Sequence, residues 1–128
     1  MKATTEETFH GYPIMTDNAI VLNEIERQFD YAEETKNKTF FMRYDIRFPE
    51  RFDHADNSVF REFQSKFMKN LSRQGLKQQY VAVREQSKEK HQHYHISLLL
   101  DGQKTQSIHN HIQTAERLWN LTLRLPEK

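Results

Sequence analysis

The stretch from Tyr80 to Leu100, YVAVREQSKEKHQHYHISLLL, limits the fold more tightly than any other part of the chain. A short apolar run, a charged stretch and a second run opening with His93-Tyr94-His95 predict a strand, a polar loop and a strand ending in Ile96-Ser97-Leu98-Leu99-Leu100. Side chains alternate across a strand, so His93 and His95 share one face while Tyr94, Ile96, Leu98 and Leu100 take the other. Antiparallel return brings Glu85, at the end of the first strand, beside the histidine pair. Two imidazoles and a carboxylate suit a divalent ion that keeps open positions for substrate, Mn²⁺ or Mg²⁺, with Zn²⁺ as the alternative. His91 shares the parity of the pair but falls in the loop, where geometry is less fixed, so Glu85 is preferred over it as third ligand. The bland alternative is a histidine-rich turn without an ion, and the combination of pair, acid and strand context argues against it.

Thr39 to Phe48, TFFMRYDIRF, predicts another strand, with Phe40, Met42, Tyr44, Ile46 and Phe48 on one face and Phe41, Arg43, Asp45 and Arg47 on the other. The second face is mostly charged. It is either a solvated sheet face or the wall of a site, and in the latter case Arg43, Asp45 and Arg47 face the substrate. Lys88 and Lys90, in the loop beside the histidines, are further candidates for phosphate contact.

Three helices complete the pattern. Leu22, Ile25, Phe29 and Ala32 recur at helical spacing after Asp17 or Asn18. Phe60, Phe63, Phe67 and Leu71 form a core stripe that Gly75 terminates, and Ile108, Ile112, Ala115 and Trp119 form a third stripe that Ser107 can cap. Residues 1–17, with Gly11 and Pro13, read as a polar, irregular N-terminal arm, leaving 18–128 as the domain. The order predicts an α+β fold, a mostly antiparallel sheet with helices on one face and the metal and nucleic-acid site on the other.

Composition narrows the function classes. At 128 residues and 15.5 kDa the chain is one domain, with no room for an attached motor. Without cysteine, disulfides and thiolate ligands are excluded. No membrane-length apolar run or signal-peptide core is present, so no membrane is expected and the cytoplasm is the expected location. A net charge of +1 means that any affinity for DNA must come from a local patch.

An acid, a polar loop and His-hydrophobic-His entering an apolar strand resemble the HUH endonucleases. The eight-residue step from Glu85 to His93 is similar to that of small-virus and geminivirus replication initiators, and VREQ…HYHISLLLDG preceded by MRYDIRFP resembles more closely the inovirus Gp2 (YagK/YfjJ-type) initiators. The resemblance covers roughly residues 38–119. It implies an HUH/Rep-like sheet with a ferredoxin-like or RRM-like core, and metal-dependent nicking of single-stranded or hairpin origin DNA in rolling-circle replication. Host replication proteins are then further partners. In such enzymes a tyrosine attacks the phosphate, usually from a downstream Tyr-x-x-x-Lys helix, and here no tyrosine follows Tyr94. The chain is therefore expected to lack its nucleophile segment. Tyr12 and Tyr31 would serve only through a different, relaxase-like connectivity. Two other readings stand beside this one: a non-catalytic DNA-binding module that keeps the fold, and a metal-binding interaction protein.

Overall fold

The alternation in TFFMRYDIRF and HYHISLLLD sets the centre of the sheet. The computed structural model describes residues 5–9, 12–15, 18–48, 57–85 and 93–124, with side chains from residue 22 onward. Its elements are β1 (Thr5–Phe9), β2 (Tyr12–Met15), α1 (Asn18–Thr35), β3 (Thr39–Arg47), α2 (Ser58–Arg73), β4 (Gln79–Arg84), β5 (His93–Asp101) and α3 (Ile108–Leu123). β3 and β5 pair antiparallel from Thr39 opposite Asp101 to Arg47 opposite His93. β4 lies antiparallel on the other side of β5, β2 runs parallel to β4, and β1 returns antiparallel to β2, giving the order β1-β2-β4-β5-β3. The α+β class and the mostly antiparallel sheet are as the sequence predicts.

One face of the sheet is the core. Met42, Tyr44, Ile46, Tyr80, Ala82, Tyr94, Ile96, Leu98 and Leu100 are buried there together with Phe60, Phe63, Phe67 and Leu71 of α2 and Ala115 of α3. Phe60 stacks on Tyr94 with ring centroids 4.1 Å apart, and Trp119 meets Phe48 and Phe63 edge-on, so the aromatic stripe of α2 is packing and not a base-binding surface. Gly75 ends α2 at φ +70°, with Gly75 N–H donating to Ser72 O and Leu76 N–H to Leu71 O, the paired bonds of a Schellman cap. Ser107 takes the N-cap position of α3, although its side chain makes no capping hydrogen bond.

Two expectations need correction. Of the stretch read as an irregular arm, residues 5–9 and 12–15 enter the sheet as β1 and β2. Pro13 argued against a strand, but β2 pairs with β4 only at Ile14 and Met15, beyond the position where proline lacks a donor. The helices also do not all lie on one face. Phe41, Leu99 and Gln79 occupy one cross-strand row on the face opposite the core. Phe29 of α1 contacts Phe41 there, and the Gln79 amide donates to Gln28 O at 3.0 Å and Gln28 Oε1 at 2.7 Å. α1 thus covers one end of this face through a partly polar seam, which Lys36 extends by donating to Gln79 Oε1. Among the described residues, no helix covers the other end of the face.

Candidate metal centre

That end of the face carries two adjacent cross-strand rows. In one, Asp45 of β3 is opposite His95 of β5, which is opposite Val83 of β4. In the next, Arg47 is opposite His93, and Glu85 N–H donates to His93 O at 2.8 Å, which carries the pairing one residue past the end of β4. Strand parity therefore points Arg43, Asp45, Arg47, His93, His95 and Glu85 to a single face. Val81 and Val83 share that parity, so the wall of the centre toward β4 is partly apolar.

The imidazoles are held by carboxylates on both sides. His93 Nδ1 lies 2.8 Å from Glu85 Oε2, and His95 Nδ1 lies 2.9 Å from Asp45 Oδ1. Glu85 Oε1 also approaches His95 Nε2 at 3.6 Å. The two rings stand 4.6 Å apart between centroids. Asp45, His93 and His95 each place a donor atom within 4.8 Å of the others, a geometry that can hold a metal ion. Two neutral nitrogens with one or two carboxylate oxygens match the ligand preference of first-row divalent cations. The hydrogen bond from His93 holds the Glu85 carboxyl below the usual glutamate range, and the nearby His95 adds to the effect, so Glu85 is an anion at neutral pH.

Arg43 flanks the centre, its guanidinium 4.0 Å from Asp45 Oδ1 and its side chain 61% exposed. Arg47, also exposed, lies on the edge strand and with Asp45, Glu116 and Trp119 lines a cavity of about 350 Å³ between β3 and α3. Lys88, Lys90 and His91 lie outside the described residues. Tyr12 belongs to β2, and its side chain is likewise outside what is described. Tyr31 is exposed on α1 but lines a cavity with Lys36, Lys77 and Gln79 at the start of β4. Glu85 is six residue steps along the chain from Gln79, roughly 20 Å in extended backbone, so Tyr31 is remote from the centre. Tyr44, Tyr80 and Tyr94 are buried on the opposite face. Among the described residues, no tyrosine hydroxyl reaches the histidines.

Sequence reasoning placed Asp45 on this face as a candidate for DNA contact, and the structure groups it with His93 and His95 in a cluster that could hold an ion. The signal was the shared parity of Asp45 with the charged face; the missing information was the register that sets it opposite His95, a partner 50 positions away.

No curated protein and no solved structure matches the chain. The family model for the YagK/YfjJ C-terminal domain matches residues 4–124, a span that takes in the strands and helices of the described residues and the four residues of the centre. On that match the chain belongs to the YagK/YfjJ C-terminal domain family.

Proposed function

We propose that this domain is the metal-dependent, single-stranded DNA nicking domain of a rolling-circle replication initiator of the HUH, Gp2-like type. The observation that carries the reading is the convergence of His93, His95, Asp45 and Glu85 on one sheet face beside two exposed arginines. In this reading His93 and His95 bind Mn²⁺ or Mg²⁺ with Asp45 and Glu85 as carboxylate partners. A divalent cation so held supplies positive charge to a phosphodiester and eases attack at phosphorus. Asp45 and Glu85 fix the orientation of the imidazoles through their Nδ1 atoms. Arg43 and Arg47 engage the flanking phosphates of single-stranded or hairpin origin DNA, as compact charge on an otherwise nearly neutral chain would.

Covalent transfer requires a tyrosine oxygen about 3 Å from the phosphorus, and none of Tyr31, Tyr44, Tyr80 or Tyr94 is placed to supply it. That arrangement favours a second reading, in which residues 1–128 bind DNA and the ion without forming a phosphotyrosine bond. Incubating the chain with Mn²⁺ and single-stranded origin DNA from its own replicon, then measuring the intact protein mass, separates the two. An oligonucleotide adduct on Tyr12 assigns the nucleophile to β2. DNA binding without an adduct supports the second reading, and absence of both metal and DNA binding refutes the proposal.

A further inference from the structure

Phe41 interrupts the charged pattern of the face that carries the candidate centre. From Phe41 that face of β3 continues with Arg43, Asp45 and Arg47, and Phe41 keeps 43% of its surface exposed. Phe29 of α1, 37% exposed, lies against it with ring centroids 5.4 Å apart and planes inclined at 34°. The two rings cover each other only in part and leave an apolar ledge open to solvent. Arg43 is the next residue on this face, and Asp45 follows it, so the ledge stands about 13 Å from the centre along the strand.

A phenylalanine ring offers no hydrogen bond, so a ligand on the ledge must present a flat apolar face. The exposed Arg43 guanidinium beside it favours an anionic group one step along the same ligand. A nucleotide in a single strand carries both, a planar base and a phosphate, whereas base pairing hides the faces of the bases inside a duplex. An aromatic ledge in line with cations is the arrangement by which proteins hold unpaired strands.

We propose that Phe41 and Phe29 form a stacking platform for an unpaired nucleobase, on the same strand whose phosphates Arg43 and Arg47 contact. The inference rests on the reading of the centre's substrate as single-stranded DNA, and adds how the strand is gripped away from the reacting phosphate. The platform selects unpaired over paired DNA and is indifferent to base identity, since every base has a face to stack.

The test is fluorescence anisotropy of a labelled oligothymidylate, and of the same strand paired with oligodeoxyadenylate, on the whole chain. Phe41→Leu and Phe29→Leu keep apolar volume while removing the ring, and unchanged thermal midpoints and Mn²⁺ binding heats show that fold and centre are intact. Each should weaken single-strand binding about tenfold, the loss of one stacked base. The salt dependence should keep its slope, because no phosphate contact is removed, and Phe41→Trp should bind at least as tightly as the parent. Leucine variants that bind like the parent while Arg43→Ala binds weakly would overturn the platform and leave the DNA reading standing. A parent chain that binds no oligothymidylate would refute both. Self-association that sedimentation detects in the parent and that Phe41→Leu abolishes would assign the ledge to a second copy of the chain, also overturning the proposal.

Discussion

Asp45 and His95 are register partners across β3 and β5, with Oδ1 and Nδ1 2.9 Å apart, so the pairing of two strands distant in sequence creates half of the candidate centre. Replacing Asp45 with asparagine preserves shape but removes the anion. Partners of this kind typically contribute 10- to 100-fold to metal affinity, so Asp45→Asn should weaken Mn²⁺ binding by about tenfold or more in a calorimetric titration.

Arg43 and Arg47 project from the same face as the centre. An Arg43→Ala, Arg47→Ala variant should bind single-stranded DNA more weakly. Because each phosphate contact to a single strand contributes about 0.7 to the slope of log affinity against log salt, losing two should reduce that slope by about 1.4. Titrations at several salt concentrations would read this directly, and a parent-like slope would remove these arginines from the interface.

Tyr44 and Tyr94 belong to the core. Tyr44 Oη donates to Gln64 Oε1 at 3.0 Å, and Tyr94 Oη to Asn57 Oδ1 at 2.6 Å. Burial pushes the Tyr44 phenol well above the usual tyrosine range, which opposes any role as a nucleophile. Tyr44→Phe leaves a buried amide oxygen without its donor and should cost about 1–3 kcal/mol in denaturant unfolding, with DNA affinity unchanged.

Much of this was legible because it is local. The two-residue alternation of TFFMRYDIRF and HYHISLLLD fixes which side chains share a face, and the spacing of Phe60, Phe63, Phe67 and Leu71 fixes the buried side of α2. What escaped depends on distant pairings. β1 and β2 are only five and four residues long, pair with each other, and join the sheet through the pairing of β2 with β4, which periodicity within a short window cannot register. The apolar stripe Leu22, Ile25, Phe29 and Ala32 gave the contact face of α1 only in part: Phe29 and Ala32 lie on it. Leu22 is 70% exposed, while Gln28, Ala32 and Lys36 are buried, because the Gln79 amide satisfies polar groups that an apolar pattern would pass over.

His111 is buried on α3, with Nε2 2.8 Å from Thr105 Oγ1. Burial lowers its pKa below the usual histidine value. The unfolded chain then takes up this proton at higher pH than the folded one, so stability is lost as pH falls from about 6.5 toward the folded value. Thermal midpoints measured from about pH 7 down to about pH 5 should decline less steeply in His111→Gln than in the parent.

The central claim is that His93 and His95 bind a divalent ion together with the carboxylates beside them. Calorimetric titration of Mn²⁺ into the parent and into a His93→Ala, His95→Ala double variant tests it most directly. The parent should give a one-site binding heat, weakening as the pH is lowered because ligating imidazoles must be neutral, and the double variant should give no such heat. Equal binding heats in the two proteins would contradict it.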